Sequence, residues 1–327
     1  MTPTRAAAGV VSLALVLTAC ATRPEVAQVG TRRIDEAALR HAVALQRALA
    51  DLQGTPCGRS VAGETETSAC SRAALSTELL WLAAAPYAER NGIEPPTRDA
   101  EQAVTQLEAQ VGADELVRAL ENRGLDRDDL VELGRKILTI RVVRTEVAKE
   151  RVGEDELRRR YQESILDFTT VDADHILVES REEALRVYER VRDATESRFV
   201  DVAKRVSIEP GAAERGGRLG SAVASTYDPP FARAAAALEP GDVSRPVQSS
   251  SGWHVIYLVD KDVTPFEEAE DRVVEPVADA TFRRWLGERA DALDVVVNPR
   301  YGRFVGDTFS VAPIRSTDPR REAQPSP

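Results

Sequence analysis

Apolar residues recur at helical spacing through the first half of the chain. The segment IDEAALRHAVALQRALADLQG repeats them every three or four positions and stops at Gly54, which predicts an amphipathic helix with His41 on its surface or half-buried. Segments with the same spacing continue to about residue 166, so this half of the chain is predicted to be helical. The further predicted helices cover about residues 71–90, where Pro86 kinks or ends the helix, 97–111, 114–123, 127–151 and 154–163.

The pattern changes after Phe168, where short apolar runs alternate with helical segments. The runs at 173–178 and 253–259 predict two buried strands. Together with the segments between them, these strands predict an α+β module of about 90 residues. The intervening predicted elements are helices at about 182–192, 199–206 and 231–238, and a Gly-rich turn in ERGGRLGS.

A long helical segment over residues 266–292 follows this module. Because helical segments flank the module on both sides, we expect it to be inserted in the helical domain, with this last helix packing back on that domain. A helix that stands alone is equally consistent with the pattern. Beyond it Pro, Arg and Ser become frequent, which predicts a tail, residues 298–327, that is largely disordered.

Composition and charge narrow the class of protein. A chain of 327 residues that is 43% hydrophobic can build two modest cores, which favours more than one domain. The net charge is −11, and no basic run with interleaved aromatics is present, so nucleic acid is not an expected partner. We find no metal-ligand spacing, phosphate-binding loop or nucleophile elbow in the sequence, and therefore expect neither a metal nor a cofactor.

The N-terminus, MTPTRAAAGVVSLALVLTAC, has the features of an export signal. One arginine precedes an apolar stretch from about Ala6 to Leu17, which is shorter than the roughly 20 residues of a membrane span. LTAC resembles a bacterial lipobox, in which a signal peptide, here residues 1–19, is removed and Cys20 is lipidated. Acyl chains would then hold the protein at a membrane surface, with residues 20–32 as a linker. A plain secretory signal with an incidental cysteine is the alternative.

Two further cysteines, Cys57 and Cys70, flank a polar segment rich in Gly, Thr and Ser. An even number of cysteines in an exported protein is consistent with a disulfide, which would stabilise the fold by roughly 3 kcal/mol on the chain-entropy model. Two buried free cysteines are the alternative, and the sequence leaves this choice open.

Two of the three histidines stand where a buried strand begins. His175 opens the apolar run of ADHILVES, and His254 opens that of GWHVIYLVD. On adjacent central strands, two such rings would lie a few ångströms apart on one face of the sheet. An acidic residue, Glu209, lies between them in the turn SIEPG. From spacing alone, a functional histidine pair and two packed core histidines both remain open.

Three stretches of this module resemble the parvulin family of peptidyl-prolyl cis/trans isomerases. ADHILVES looks like the family's first strand, SIEPGAAERGGRLG resembles its Gly-Gly turn, and PPFARAAAALEPGDVSRPVQSSSGWHVIYLVD is similar to the segment that contains its second histidine. The resemblance runs from about Val171 to Lys261. It implies a four-stranded antiparallel sheet flanked by helices, over residues 168–262, and isomerisation of X-Pro bonds.

The resemblance also implies roles for individual residues. We expect a hydrogen-bonded histidine pair that orients its polar neighbours, a carboxylate that acts electrostatically near the rotating carbonyl, and an apolar pocket that holds the substrate proline. The catalytic residues implied are His175, Glu209, His254, Ser249 and Ser251, and the pocket residues implied are Leu219, Tyr227 and Phe231.

Several positions depart from the family pattern. Glu209 stands where the family has Asp or Cys, Arg218 replaces the usual Asp, and Ala222 stands where a bulky aromatic is common. These changes predict a looser pocket and a lower rate. The loop ESREEA lacks the basic cluster of phosphate-selecting parvulins, so phosphorylated substrates are not expected.

The segments before the parvulin-like module carry a second resemblance, to the helical parts of a group of foldases. GADELVRALENRGLDRDDLVELGRKILTIRVVRTEV looks like the N-terminal chaperone domain of SurA/PrsA-type foldases, and VGEDELRRRYQES like their linker helix. This resemblance implies a helical chaperone domain over residues 33–167, a C-terminal helical segment over 263–297, and binding of unfolded polypeptide.

The sequence as a whole therefore predicts an α+β foldase. We expect it to be extracytoplasmic and lipid-anchored to a bacterial membrane, to isomerise X-Pro bonds in newly exported polypeptides and to bind their unfolded segments. A catalytically weak or inactive parvulin that acts as a holdase is the main alternative, and a structural lipoprotein that scaffolds envelope partners is a third.

Overall fold

A computed structural model describes residues 26–94 and 96–314 of the chain. The predicted signal peptide, the predicted lipidation site Cys20 and the last part of the predicted tail lie outside the described residues. The helices are α1 (Glu36–Gln53), α2 (Glu66–Arg90), α3 (Thr97–Val111), α4 (Ala113–Glu121), α5 (Arg127–Val152), α6 (Glu154–Glu163), α7 (Arg181–Val191), α8 (Glu196–Val206), α9 (Ala212–Arg215), α10 (Pro229–Ala236) and α11 (Phe266–Ala292). The strands are β1 (Ala27–Val29), β2 (Arg32–Ile34), β3 (Thr169–Val178), β4 (Arg218–Val223), β5 (Val247–Ser249), β6 (Gly252–Val263), β7 (Val295–Val297), β8 (Arg303–Val305) and β9 (Ser310–Ala312).

The described residues divide into two compact units. The first contains residues 26–140 and 284–314, and the second contains residues 141–283. Both divisions fall inside long helices, α5 and α11. The domain limits expected from the sequence, at 167/168 and 262/263, stay a prediction.

The first unit is built mainly from helices. α1 begins after Asp35, whose side chain accepts a hydrogen bond from the Ala38 N–H, and it ends at Gly54 in the left-handed conformation. Leucines from α1, α4 and α5 form an apolar cluster in this unit, among them Leu45, Leu116 and Leu130. None of the helices within the described ranges combines the length and apolar character that crossing a membrane requires.

Helix α2 is longer than its sequence pattern predicted. It begins at Glu66 rather than near residue 71, because the Thr65 side chain accepts the Ser68 N–H and caps the helix there. Pro86 lies inside the helix and does not end it. Burial of α2 over much of its length, including Leu75 and Leu79, stabilises helix on both sides of the proline.

Short strands occupy part of the segment that was predicted to be a linker. β1 pairs with β2 and with β7 in a three-stranded antiparallel sheet, in the order β2-β1-β7. Val26, Ala27 and Val29 are buried. A strand of three residues is too short to show a recognisable alternation, and the partner β7 lies far along the chain, so the sequence pattern gave no signal.

The prediction that residues 298–327 are largely disordered is wrong for their described part. β8 and β9 form an antiparallel hairpin, in which Phe309 and Val311 are buried. The hairpin is fixed to α2, because the Ser76 hydroxyl accepts the Val311 N–H at 2.9 Å and Arg72 donates to the Val311 carbonyl at 3.2 Å. Residues 315–327 lie outside the described residues.

The second unit contains a four-stranded antiparallel sheet in the order β4-β3-β6-β5. One face packs on α7 and α8 through Ile176, Val255 and Phe199. The opposite face packs on α10 through residues that include Ile256 and Phe231. The predicted α+β class with a four-stranded antiparallel sheet is therefore confirmed, and the α10 face of the sheet carries the candidate site.

Candidate functional site

The two central strands bring the two predicted histidines together. β3 and β6 pair so that His175 lies opposite Ile256, and His254 lies opposite Leu177, which places the imidazoles diagonally on one face. His175 Nδ1 lies 3.0 Å from His254 Nδ1, and the rings stack with centroids 5.2 Å apart. Each residue is only 6% exposed. The pair is thus a buried hydrogen-bonded unit.

Hydrogen bonds extend from both ends of this pair. His175 Nε2 lies 2.8 Å from Glu209 Oε2, and His254 Nε2 lies 2.6 Å from Ser249 Oγ. Ser249 Oγ also accepts the backbone N–H of Ser251 at 3.0 Å. All five predicted catalytic residues therefore belong to one chain of hydrogen bonds, although Ser251 contributes its backbone to this chain.

One arrangement of protons satisfies every contact in this chain and leaves both imidazoles neutral. A backbone N–H can only donate, and the carboxylate of Glu209 accepts. The Ser249 hydroxyl, which accepts from the backbone, then donates to His254 Nε2, and His254 Nδ1 donates to His175 Nδ1. His175 finally donates through Nε2 to Glu209. In this arrangement both imidazoles are neutral and each has a defined tautomer.

The surroundings of His254 favour this neutral form. Burial lowers the pKa of His254 from 6.5 to about 4, and proximity to His175 contributes in the same direction. The carboxylates of Asp228 and Glu209 oppose this shift to a smaller extent. His254 is therefore uncharged at neutral pH, and it is suited to orienting its neighbours rather than to carrying positive charge.

Apolar side chains adjoin the pair on the same face of the sheet. The Phe231 ring meets both imidazoles edge-on, with centroid distances of 5.8 Å to His175 and 5.3 Å to His254. Tyr227 packs on Phe231 at 5.0 Å, and Leu219 belongs to the same apolar cluster. All three predicted pocket residues thus belong to one apolar cluster, in which Phe231 contacts both imidazoles. Burial, with a smaller effect of Asp172, raises the pKa of Tyr227, which remains a neutral phenol.

The Gly-rich turn lets the chain approach the strand that carries His175. The His175 N–H donates to the Gly217 carbonyl at 2.9 Å. Gly217 has φ +76°, and a Cβ atom there would lie 2.0 Å from the His175 carbonyl oxygen. Only glycine is compatible with this approach. The second glycine of the turn therefore has a direct role in positioning the histidine.

A second contact fixes the turn that carries Glu209. The Ser207 hydroxyl accepts the N–H of Leu177, and the Ile208 N–H donates to the Leu177 carbonyl at 2.9 Å. These bonds tie residues 207 and 208 to β3, two positions beyond His175. The carboxylate of Glu209 is consequently held beside the imidazole by backbone as well as side-chain contacts.

Two residues near the pair were missed by sequence reasoning. Arg215 donates to Glu209 Oε1 at 3.0 Å, so that the carboxylate contacts both a histidine and a guanidinium. Asp174 is 2% exposed, and its Oδ2 atom has no hydrogen-bond partner within the described part of the chain. Arg215 could have been noticed as a cation six positions after Glu209, at the end of α9, whereas the burial of Asp174 gives no signal in sequence.

Two departures from the family pattern lie on β4. Arg218 forms an ion pair with Glu196 at 3.4 Å, at the start of α8. Ala222 is half-buried and pairs in register with Val171 of β3. Whether these changes lower the rate of catalysis stays a prediction.

Of the remaining predicted positions, Cys57 and Cys70 are joined by a disulfide, with Cα atoms 4.8 Å apart. Both cysteines are buried. Cys20 lies outside the described residues. Across residues 26–94 and 96–314, no group of three or more His, Cys, Asp or Glu side chains is arranged to hold a metal ion.

Comparison with known proteins assigns the class of the site. Residues 169–260 match the rotamase family described as the PPIC-type PPIase domain. These residues include the histidine pair, Glu209, the two serines of the hydrogen-bond chain and the apolar residues of the predicted pocket. The second unit thus contains a parvulin-type domain, as the sequence predicted.

Relatives of greater length extend the similarity beyond this domain. Foldase protein PrsA 2 of Bacillus cereus is 30% identical over 224 residues, which cover 66% of this chain and 73% of the relative. The chain belongs to the PrsA foldase family. Foldase protein PrsA of Clostridium botulinum is 35% identical over 184 residues, and the chain spans only about half, 54%, of that relative's length. A solved structure of peptidylprolyl isomerase PrsA from Bacillus cereus aligns at 20% identity and a TM-score of 0.36, covering 85% of this chain and 93% of that one.

Proposed function

We propose that the protein catalyses cis/trans isomerisation of X-Pro bonds in newly exported polypeptides and that its helical unit binds their unfolded segments. The observation that carries this proposal is the buried His175–His254 pair, linked at one end to Glu209 and packed against Phe231. This combination of an apolar pocket and a fixed polar edge is what the reaction requires.

The physics of the reaction explains this requirement. Rotation about a peptide bond has a barrier of about 18–20 kcal/mol, because resonance keeps the amide planar. At X-Pro bonds the two isomers differ by only about 0.5–1 kcal/mol, so a catalyst has only to lower the barrier between them. It does so by binding the twisted amide better than either planar form. No nucleophile or cofactor is needed for this step.

Each part of the site has a corresponding role in the proposal. The apolar surface of Leu219, Tyr227 and Phe231 holds the proline ring away from water, where the less polar twisted amide is favoured. The neutral histidine pair positions the polar groups at the edge of this surface. Glu209, held by His175 and Arg215, acts electrostatically on the carbonyl that rotates.

We also propose an extracytoplasmic location with a lipid anchor on Cys20. This part rests on the N-terminal sequence, in which LTAC ends an apolar stretch. Fractionation of cells expressing the full chain tests it, because C20S protein should leave the membrane fraction. Membrane association that persists in C20S would overturn the anchor and leave the enzyme proposal intact.

The isomerase proposal is tested with a protease-coupled assay on a short proline peptide that is cleaved only as the trans isomer. We expect wild-type protein to accelerate the slow phase, and H175A, H254A and F231A each to lower kcat/KM by about ten- to a hundredfold. H41A is the matched control, because His41 is exposed on α1 in the other unit. Wild-type rates in all three site variants, with circular dichroism showing normal folding, would refute the assigned roles.

An aggregation assay with an unfolded client separates the two activities. A protein that suppresses aggregation and leaves the proline peptide unaffected is a holdase. A protein that does neither is neither a foldase nor a holdase.

A further inference from the structure

An additional carboxylate lies beside the apolar residues of the predicted pocket. Asp228 directly follows Tyr227 and precedes helix α10, which carries Phe231. Its Oδ2 atom accepts a hydrogen bond from the Ser250 hydroxyl at 3.4 Å. Ser250 is the neighbour of Ser249, which contacts His254. Asp228 therefore lies between Tyr227 and Phe231 along the chain, and its side chain contacts the residue next to Ser249.

Negative charge exceeds positive charge around the predicted pocket. Glu209 has a cationic partner, Arg215, at 3.0 Å. Asp228 forms no ion pair with any Lys or Arg within residues 26–94 and 96–314. Asp172 is a further carboxylate close enough to influence Tyr227. The edge of the pocket thus carries unbalanced negative charge.

We propose that Asp228 makes this site select proline substrates that carry lysine or arginine immediately beside the proline, and disfavour those with glutamate or a phosphorylated residue there. This inference rests on the proposed function and specifies its substrate class. An unbalanced carboxylate at the edge of a binding site attracts a cationic neighbour of the bound proline and repels an anionic one.

The expected size of the effect follows from the partial exposure of the pocket edge. Charge pairs in such a setting contribute modestly, so we expect kcat/KM for a Lys-Pro peptide to exceed that for a Glu-Pro peptide by about three- to tenfold. Salt screens charges that are exposed to solvent, and the ratio should fall towards one as ionic strength rises from about 0.05 to 0.5 M.

The test uses the full chain and peptides with Lys, Leu or Glu directly before or directly after the proline. Isomerisation is measured by the coupled assay, and binding of the same peptides is measured by NMR titration. We compare wild type with D228N and D228K. D201N is the matched control, because it removes the same charge from the exposed face of α8, on the opposite side of the sheet.

In the expected result, D228N reduces the Lys-to-Glu ratio to about twofold or less, D228K inverts it, and D201N leaves it unchanged. Equal rates for all peptides with wild-type protein would overturn the charge selection and leave the isomerase proposal standing. Absence of isomerisation for every peptide would refute the isomerase proposal, and the binding series would still decide the charge preference. A ratio that D201N alters as much as D228N would also overturn the role of Asp228.

Discussion

Replacement of the buried Asp174 by asparagine should stabilise the second unit at neutral pH. This carboxyl group lies on β3 directly before His175, and its Oδ2 atom has no hydrogen-bond partner within the described residues. Burial raises the pKa of Asp174 to about 6, and the negative charge of Glu196 adds to this effect, whereas Arg218 opposes it. At neutral pH the folded protein therefore contains a buried carboxylate with little compensation.

The sign and size of the effect follow from proton linkage. The ordinary pKa of aspartate is 3.8, so between pH 3.8 and about 6 the folded state binds a proton that the unfolded state does not. The free energy of unfolding therefore falls as pH rises through this interval. A shift of about two units corresponds to about 3 kcal/mol. D174N should be more stable than wild type by a value of this order at pH 7, and the difference should vanish below about pH 4.

His254 contributes with the opposite sign. Burial lowers its pKa from 6.5 to about 4, so in this interval the unfolded state binds the extra proton, and the free energy of unfolding falls as pH falls. In wild type the contributions of Asp174 and His254 nearly cancel between pH 4 and 6. In D174N the histidine contribution is no longer offset by Asp174, and this contribution should lower the free energy of unfolding by about 3 kcal/mol on acidification from pH 6.5 to 4.

The measurement is urea unfolding of the full chain at several pH values, followed by pulsed hydrogen–deuterium exchange in peptides from β3 and β6. A constant pulse pH separates stability from intrinsic exchange rates. D201N serves as control, since it removes an exposed carboxylate from the same unit. If D174N is no more stable than wild type at pH 7, or if their difference is independent of pH, burial does not raise the pKa of the Asp174 carboxyl.

Three further predictions concern the turn, the site carboxylate and the disulfide. Gly217→Ala should lower the free energy of unfolding, measured by urea titration, by about 2 kcal/mol or more. Gly220→Ala is the control and should cost about 1 kcal/mol, because Gly220 has a similar positive φ but no atom lies within 4 Å of the added Cβ. Equal losses in the two variants would contradict the steric argument. Arg215→Met removes the guanidinium that contacts the Glu209 carboxylate at 3.0 Å. It should lower kcat/KM for a proline peptide about three- to tenfold, and Arg215→Lys should restore part of this loss. Unchanged kinetics would exclude a positioning role for Arg215. Reduction, or replacement of Cys57 and Cys70 by serine, should destabilise the first unit by about 3 kcal/mol in thermal unfolding, and an unchanged melting temperature would contradict this.

The histidine pair could be predicted from sequence because strand geometry and motif agreed. The apolar run after each histidine predicted that both residues lie on strands, and the family resemblance implied that these strands are neighbours. The structure then places His175 Nδ1 and His254 Nδ1 within hydrogen-bond distance. The three predicted pocket residues stand at matched positions of a motif with definite spacing and share one apolar cluster, while their role in holding proline stays a prediction.

Other features could not be predicted, because they depend on contacts that local pattern does not encode. The hairpin of β8 and β9 precedes a polar segment that contains several prolines, and it is fixed by contacts with Arg72 and Ser76 of the distant helix α2. The pairing of β1 with β7 likewise joins opposite ends of the chain. In both cases tertiary contacts outweigh a weak local preference.

The order of polar residues on β3 places a strict demand on strand register. Asp174 and His175 are consecutive, so the strand directs one towards α8 and the other towards the pocket, and a slip of one residue would exchange them. Such a slip would place a carboxylate among the pocket aromatics and an imidazole in the opposite core. At residues 172–174, the pairing of β3 with both β4 and β6 is irregular, so backbone hydrogen bonds between the strands define the register least there. The bond from the His175 N–H to the Gly217 carbonyl and the close approach of Gly217 lie directly beyond this irregularity. We therefore infer that Gly217 sets which side chain enters the pocket, so that its replacement should reduce isomerase activity more than the loss of stability alone explains.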